Sequence, residues 1–285
     1  MTEAVTELLA VLDLERLEID LFRGGNPKTG WKRVFGGQVV AQALVAATRT
    51  VPDDRPTHSL HAYFLLPGDP RAPIVYEVER IRDGHSFTTR RVKAIQHGRA
   101  IFATTVSYQV VEDGFAHQPP MPAVADPEGL ADGRDLARDG RIPAAVAAYF
   151  GRPRPILLRP VDLRRYSDGE AREAAFSVWL RAAATLPDDP ALHRAVLAYA
   201  SDMTLLDVSL IPHAKSVFDA DVQAASLDHA LWFHRPARAD DWLLYAQDSP
   251  AAGGARGFAR GQIFDRAGNL VASVAQEGLI RPRGE

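Results

Sequence analysis

The residue with the clearest potential for chemistry is a carboxylate that falls close to an apolar helix face. Apolar residues recur at helical spacing between positions 193 and 210, which predicts a helix there. On that helix Asp202 points about 60° away from Tyr199, within the margin of the apolar face. A carboxylate in this position loses solvation and must find hydrogen-bond donors. Asp202 is therefore a candidate catalytic group. The alternative is a helix-edge aspartate that reaches solvent or caps a nearby backbone group.

Two further polar residues fall in strands predicted after this helix. Ser226 lies near the start of a strand predicted over residues 224–234, and its hydroxyl can both donate and accept hydrogen bonds. Gln276 lies in the middle of an apolar strand predicted over residues 270–280, where a buried amide needs several hydrogen-bond partners. For both residues a structural role is the alternative to a catalytic one; an amide that bridges two backbone segments is an example.

Several enzyme classes lack their motifs in this sequence. The segment Gly84-His85-Ser86-Phe87-Thr88 begins like a nucleophile elbow but has no second glycine, and its serine is explained by a position after a hairpin turn. No Walker-type phosphate loop occurs, and residues 253–257 do not fit the dinucleotide fingerprint. The nine histidines show no metal-ligand spacing, and the chain has no cysteine to serve as a nucleophile or thiolate ligand. We expect neither a metal nor a cofactor.

The elements that must position these residues begin with a first half of helices and antiparallel strands. Helices are predicted over residues 3–14 and 39–48, and strands over residues 58–66, 74–82, 86–96 and 100–111. Gly36 and Gly37 precede the second helix and indicate tight backbone packing at its start. The proline-rich segment that follows is typical of a linker or crossing segment, with a helix near residues 143–150.

The second half repeats the order of the first. A strand near residues 176–182 precedes the 193–210 helix, and further strands are predicted over residues 224–234, 242–248, 255–265 and 270–280. Ser59 and Ser226 are separated by about 167 positions, and so are Gln109 and Gln276. The sequence therefore predicts a duplicated unit: an N-terminal repeat over residues 1–112, a linker or crossing segment over 113–160 and a C-terminal repeat over 161–285. The two sheets are expected to join into one continuous layer.

Ordered motifs along the chain carry a resemblance to a known family. They are Val34–Ala43, His58–Phe64, Pro67–Asp69, Arg82–Val92, Tyr199–Asp202, Ser226–Pro236 and Gln276–Gly278. Together they resemble the acyl-CoA thioesterase II family, and the resemblance runs from about Leu8 to Arg281. It implies an α+β fold, the double hotdog, in which two helix-plus-antiparallel-sheet repeats are fused in one chain.

The same resemblance implies an acyl-CoA thioesterase activity and a catalytic set of a carboxylate, a hydroxyl and a carboxamide around one water. By motif these fall on Asp202, Ser226 and Gln276; the hydroxyl position is Thr in some members. We expect Asp202 to accept a proton from the attacking water while the other two hold that water in line with the carbonyl. Backbone N–H groups at Gly36 and Gly37 are candidate oxyanion donors. The 39–48 helix has no carboxylate, so one active site per chain is expected.

Two other functions remain open at the level of sequence. A hydratase or dehydratase of the same fold would need a histidine and a carboxylate at the α and β carbons of its substrate, and His58 or His61 could supply the histidine. A module that binds acyl-CoA as a sensor would leave Asp202 and Gln276 without a task. Release of a free thiol distinguishes hydrolysis from both alternatives.

Composition limits the partners. The 285 residues are 46% hydrophobic and 24% charged, and the formal net charge of −3 gives no basic field for nucleic acid. No apolar run approaches the roughly 18 residues of a membrane span, and the N-terminus is acidic where a signal peptide would be basic. We therefore expect a cytoplasmic protein with an acyl-CoA substrate, no nucleic-acid partner and no membrane insertion. Exposed sheet edges offer a route to a homodimer or homotetramer.

Overall fold

The computed structural model describes residues 2–27, 32–138 and 140–283. The helices in this part of the chain are α1 (Glu3–Leu12), α2 (Gly36–Thr48), α3 (Gly133–Arg138), α4 (Ala144–Gly151), α5 (Arg164–Ser167) and α6 (Pro190–Ser201). The strands are β1 (Glu15–Glu18), β2 (Leu21–Gly24), β3 (Thr57–Phe64), β4 (Ile74–Asp83), β5 (Phe87–Gln96), β6 (Arg99–Gln109), β7 (Ile156–Pro160), β8 (Ala175–Ala182), β9 (Val222–Ser226), β10 (Asp228–Phe233), β11 (Leu243–Gly253), β12 (Arg256–Phe264) and β13 (Leu270–Pro282). Pro127–Gly129 and Leu206–His213 form 3₁₀ helices.

The strands form one continuous sheet, as the duplicated sequence predicted. The order is β1-β2-β4-β5-β6-β3-β10-β13-β12-β11-β8-β7, and β9 pairs with β13 beside this path. Read outward from the centre, each half has the same arrangement: a first strand, then a three-stranded meander in reverse order, then two edge strands. The halves meet where β3 pairs antiparallel with β10, with Leu60 opposite Leu231. Both of these leucines are buried, so the junction is part of the core.

The core helices α2 and α6 correspond to each other in the two repeats and pack together. Asp189 caps the start of α6 by accepting a hydrogen bond from the Ala191 N–H at 2.8 Å, and Pro190 occupies the first turn. Helix α2 is rich in small residues, which allows close helix packing. A single apolar cluster of buried side chains runs through both halves and includes Leu44, Val92, Leu197 and Ile263. The two repeats therefore share one core.

Two hairpin turns of the sheet contain a glycine next to a second left-handed residue. His97 and Gly98 join β5 to β6 with φ values of 49° and 72°, so both residues are left-handed as a type I′ turn requires. Gly254 and Ala255 join β11 to β12 with φ values of 56° and 62° in the same way. The turn that corresponds to His97-Gly98 in the second repeat joins β12 to β13, and it also contains a left-handed glycine, Gly268, with a φ of 84°.

The structure corrects two predicted elements near the candidate site. The helix predicted over residues 193–210 ends at Ser201, and the chain turns before the 3₁₀ helix begins at Leu206. The strand predicted over residues 224–234 is divided at Leu227, whose N–H donates to Glu277 and whose carbonyl accepts from Phe64. Strands β1, β2 and β7 were not predicted; all three are only four or five residues long.

One helical stretch, Pro190–His213, has the length and hydropathy of a membrane span. The stretch combines α6 with the 3₁₀ helix, and 72% of its most apolar window is buried inside the fold. Its apolar side chains thus contact other parts of the same chain, as those of a core helix do.

Candidate active site

Asp202 is the residue at which α6 ends. It takes the C-cap position with φ −89° and ψ −2°, directly after the last helical residue, Ser201. Two buried groups hold this end of the helix. The Tyr245 hydroxyl donates to the Ser201 carbonyl at 2.9 Å, and the Ser201 hydroxyl lies 2.9 Å from Nε2 of His229. The position of the carboxylate is therefore set by the last turn of α6 and by its contacts with the sheet.

The start of α2 meets the end of α6 at very close range. A Cβ atom on Gly36 would lie 2.7 Å from Oδ2 of Asp202, and one on Gly37 would lie 2.4 Å from the Tyr199 carbonyl oxygen. Helix α2 has no side-chain cap from its own N-cap residue, Phe35. The Gly37 N–H donates instead to the Asp202 carboxylate. The two glycines are required because any side chain would separate the helices, and the carboxylate provides the cap.

Gln276 and Ser226 reach the same carboxylate from the sheet. The Gln276 side chain donates through Nε2 to Oδ1 of Asp202 at 2.7 Å, and the Ser226 hydroxyl lies close enough to lower the pKa of the same carboxyl group. Ser226 in β9 pairs with Gly278 of β13, two residues beyond Gln276, so adjacent strands carry the two side chains. The structure thus brings together all three residues that the sequence singled out.

The environment of Asp202 raises the pKa of its side chain toward neutral pH. The side chain is 5% exposed. Burial raises the pKa of this carboxyl from 3.8 to about 6, although hydrogen bonds from Gln276, Gly37 and Ser226 pull it in the opposite direction. The carboxyl therefore remains mostly ionised at neutral pH and is a stronger base than an exposed aspartate. This combination is what a general base needs.

One polar atom of the Gln276 side chain has no hydrogen-bond partner among the described residues. Its amide nitrogen is used by Asp202 and by Nδ1 of His229, at 2.7 Å and 3.2 Å. Its carbonyl oxygen Oε1 is buried and accepts no hydrogen bond from the described residues. A buried amide oxygen without a donor is costly, so this atom calls for a donor that is not part of the protein framework.

His229 belongs to the site, and the sequence reasoning did not single it out. It is fully buried on β10, and its ring lies between Ser201 and Gln276, with Nδ1 4.0 Å from the Asp202 carboxylate. Burial lowers the pKa of His229 to about 4, so its ring is neutral at neutral pH. The signal was available: His229 alternates with the buried Leu231, and a polar residue at an apolar strand position is the pattern that identified Gln276.

A cleft of about 460 Å³ is lined by residues close to Asp202 in the chain, although Asp202, Ser226 and Gln276 are not part of its described lining. Its lining includes Tyr199 and Met203, which flank Asp202 in the chain, and Phe35, which precedes Gly36. The rings of Phe35 and Tyr199 pack edge to face with centroids 5.0 Å apart. The lining also contains three arginines: Arg33, Arg152 and Arg154. The cleft thus joins an apolar wall next to the carboxylate with a cationic wall.

The other histidines considered from sequence have contacts of their own. The ring of His58 is 2.9 Å from the Ser107 hydroxyl, and His61 packs edge-on against Trp232 at 5.1 Å. In the first repeat, Gln109 donates to Glu112 at 3.2 Å near the surface. Among residues 2–27, 32–138 and 140–283 there is no group of three His, Asp or Glu side chains that could hold a metal ion.

Comparison with known proteins gives a family match to each half of the chain. The acyl-CoA thioesterase family matches residues 145–279, and the acyl-CoA thioesterase N-terminal domain matches residues 25–109. A relative from Haemophilus influenzae named acyl-CoA thioesterase 2 is 41% identical over 283 residues, which cover 99% of both chains. The chain belongs to the acyl-CoA thioesterase family.

Solved structures confirm the fold of this family member. The crystal structure of an acyl-CoA thioesterase II, TesB2, from Mycobacterium marinum matches with a TM-score of 0.81 and 43% identity, covering 97% of this chain and 99% of that one. A hot dog fold protein from Alicyclobacillus acidocaldarius matches with a TM-score of 0.78 at 18% identity, covering 100% of each chain, which shows the fold alone. The predicted double hotdog is therefore confirmed. The N-terminal domain match contains Gly36 and Gly37, and the second match contains the whole polar cluster.

Proposed function

We propose that this acyl-CoA thioesterase family member hydrolyses acyl-CoA thioesters to a free fatty acid and CoA, with Asp202, Ser226 and Gln276 acting on one water molecule. The observation that carries the proposal is a buried carboxylate, with a pKa raised to about 6, that shares its site with an amide oxygen lacking a donor. A water molecule between these two groups satisfies both. Thioesters are activated carbonyl compounds, so orientation and charge stabilisation are sufficient without a covalent intermediate.

The hydrogen-bonding capacity of the site gives the water one orientation. Its two O–H groups donate to Asp202 and to Oε1 of Gln276, and a lone pair then faces the thioester carbon. The Ser226 hydroxyl donates to Asp202 and retains lone pairs that can accept from the water or fix its position. As the C–O bond forms, Asp202 takes the proton. The C–S bond then breaks, and the proton passes to the leaving thiolate.

The negative charge on the carbonyl oxygen needs a donor that is not already in use. The Gly37 N–H faces the Asp202 carboxylate and lowers its pKa, so this donor interacts with the proposed base. The Gly36 N–H, at the same helix start, donates to no backbone carbonyl within residues 2–27, 32–138 and 140–283. We assign Gly36 N–H as the oxyanion donor, where the dipole of α2 also favours negative charge.

The proposal extends to the repeats, the location and the oligomeric state of the protein. We propose repeats over residues 1–112 and 161–285, joined by the segment 113–160, with one active site built mainly from the C-terminal repeat. The first repeat supplies the glycines at the start of α2. We further propose a cytoplasmic homodimer or homotetramer. The outer strand β1 has four exposed residues, Glu-Arg-Leu-Glu, whose charges disfavour uncontrolled edge pairing.

The test is thiol release from a panel of acyl-CoAs of different chain lengths. The chain has no cysteine, so a thiol reagent detects only the CoA that is released. We expect stoichiometric CoA and free fatty acid with no enoyl product. Formation of an enoyl or hydroxyacyl thioester without free thiol would support the hydratase alternative. Tight binding of acyl-CoA with no turnover across the panel would support the sensor alternative.

A further inference from the structure

We propose that Arg33, Arg152 and Arg154 bind the phosphate groups of CoA in the cleft beside Asp202. The proposal rests on acyl-CoA hydrolysis as the function and identifies the residues that hold the nucleotide end of the substrate. A CoA thioester carries its reactive carbonyl at one end of the pantetheine arm and its phosphates at the other. A site for it must therefore combine a catalytic region with a separate anion-binding region in one continuous cleft.

None of the three arginines has an acidic partner in the described part of the chain. About half of the described arginines form an ion pair with a carboxylate, as Arg80 does with Asp20 at 2.9 Å. Arg33, Arg152 and Arg154 form no ion pair within residues 2–27, 32–138 and 140–283. Unpaired guanidinium groups that face one cleft are free to bind an anion, and arginine matches phosphate geometry with paired N–H donors.

Arg154 is held against the wall of the cleft and keeps hydrogen-bond donors available to an anion. Its guanidinium stacks over the Tyr149 ring with its carbon 4.2 Å from the ring centroid. Its Nε and Nη1 atoms are buried and have no hydrogen-bond acceptor in the described part of the chain. Tyr149 in turn donates to the Met203 carbonyl at 3.1 Å, next to the catalytic carboxylate. The stacked guanidinium is thus held in a fixed place, with donors still to be satisfied.

Charge and continuity agree with an anionic ligand. Among the described residues that line the cleft, Glu7 is the only acidic one, so the three arginines give this lining a net positive charge although the protein as a whole carries −3. The same cleft is lined by Tyr199 and Met203, which lie three residues before and one residue after Asp202 in the chain. Phosphates at the arginines therefore allow the pantetheine arm to run along the cleft toward the carboxylate.

The experiment compares an acyl-CoA with the acyl-pantetheine of the same chain length, which has the thioester and no phosphate. The variants are Arg152→Ala, which removes an exposed side chain, and Arg154→Gln, which keeps part of the stem over Tyr149. Each is expected to raise KM for acyl-CoA roughly tenfold at low salt, with kcat unchanged. KM for acyl-pantetheine is expected to stay at the wild-type value. Arg99→Ala, an exposed arginine outside the cleft, is the control and should change neither value.

Two results would overturn the assignment: an equal rise in KM for both substrates, or no rise for acyl-CoA. If the wild-type protein released thiol from neither substrate, the proposed function would fail instead. In that case calorimetry still measures the affinity of the cleft for CoA and for pantetheine. The assignment then predicts that the wild type binds CoA more tightly than pantetheine and that Arg152→Ala and Arg154→Gln lose this difference; an unchanged difference would overturn it.

An independent observation, the direction of the hydrogen bonds around His229, points to this residue as the one that positions Gln276. With Asp202 ionised, the atom of Gln276 that faces Oδ1 must be the amide nitrogen, since an oxygen at 2.7 Å would repel it. The same nitrogen lies 3.2 Å from Nδ1 of His229, which must then be the acceptor. The proton of the neutral ring therefore sits on Nε2 and is donated to the Ser201 hydroxyl.

Ser201 ends this series of hydrogen bonds by donating its own proton to the Ala198 carbonyl at 2.9 Å. Its oxygen can then only accept from Nε2, which fixes the tautomer of His229. That tautomer in turn fixes which way the Gln276 amide faces, and it leaves Oε1 directed away from the framework and toward the proposed water. Loss of this hydrogen-bond arrangement would displace the water. A displacement of about 1 Å can lower the rate by a factor of about 100.

Two substitutions of His229 separate positioning from packing. Asn places an oxygen where Nδ1 stood and keeps the acceptor for Gln276; Gln places a nitrogen where Nε2 stood and keeps the contact with Ser201. His229→Asn is expected to retain kcat within a few-fold. His229→Gln is expected to lose about 10- to 100-fold in kcat with little change in KM. Ser201→Ala should lower kcat alone but have no further effect in the His229→Asn background.

A purely structural role predicts the reverse order, because the Ser201 contact joins α6 to the sheet. Equal losses in the two variants, or a Gln variant more active than the Asn variant, would overturn the positioning role. A measurement on the unmodified protein is available if a variant fails to fold. The ¹⁵N NMR spectrum of His229 should show the neutral tautomer protonated at Nε2; a ring protonated at Nδ1 would contradict the proposal.

Discussion

Replacing Asp202 by Asn is expected to stabilise the folded protein at neutral pH while removing the proposed base. Burial raises the pKa of this carboxyl from 3.8 to about 6 in the folded state. A difference of roughly 2 pKa units corresponds to about 3 kcal/mol of unfolding free energy. Because the folded pKa is the higher one, folding favours the protonated form. The associated stability is complete below about pH 4 and is lost as the pH rises through about 6. At neutral pH the ionised carboxylate is therefore a local cost that a neutral amide avoids.

The assay is urea unfolding of the wild type and Asp202→Asn at a series of pH values between about 4 and 8. The free energy of unfolding of the variant relative to the wild type should rise by up to about 3 kcal/mol across that range, most steeply between about pH 4 and 6. The change with pH is the diagnostic quantity, since Asn also alters the bonds to Gly37 and Ser226 by a constant amount. All other titrating groups are common to both proteins. A relative stability that does not change with pH would refute the account of this carboxyl.

Three further outcomes are expected. The kcat/KM of the wild type should fall about tenfold per pH unit below about pH 6, because protonated Asp202 cannot accept a proton; a profile flat down to about pH 4.5 would contradict this. Gly36→Ala places a methyl group 2.7 Å from Oδ2 of Asp202 and should lower kcat by at least about tenfold, whereas Gly25→Ala, with open space around it, should be silent in the same kinetic assay. Ser226→Ala should lower kcat by roughly tenfold and Ser226→Thr should restore it, since only the hydroxyl is required; steady-state kinetics in which Thr is as impaired as Ala would argue against that role.

The fold was predictable in outline because the sequence repeats its pattern. Alternation in the strands, the glycine-containing turns and the near-constant offset between the halves led to two helix-plus-sheet units in one layer, and the sheet order agrees. Strands β1, β2 and β7 escaped prediction because four or five residues are too few for a periodic signal. Their pairing is decided by neighbouring strands, as that of β7 is by β8.

The residues of the candidate site could be predicted from the sequence, but their arrangement in space could not. Gln276 was found because a buried amide interrupts an apolar strand, and the structure places it on the buried face with Val274. Asp202 was found through a helix predicted to continue to residue 210, which was wrong, since α6 ends one residue before it. The helical pattern continues in apolar residues that form the 3₁₀ helix, so periodicity alone could not locate the end. The approach of α2 to Asp202 depends on packing between the repeats, which local sequence does not encode.

Turnover of the Asp202→Asn variant is the measurement that tests the central claim most directly. Thiol release from an acyl-CoA that the wild type hydrolyses well should fall by at least about 100-fold, with KM changed little, because the variant keeps the shape of the site and loses its base. A variant that turns over within a few-fold of the wild type, with its fold intact by circular dichroism, would contradict the claim that this carboxylate activates the water.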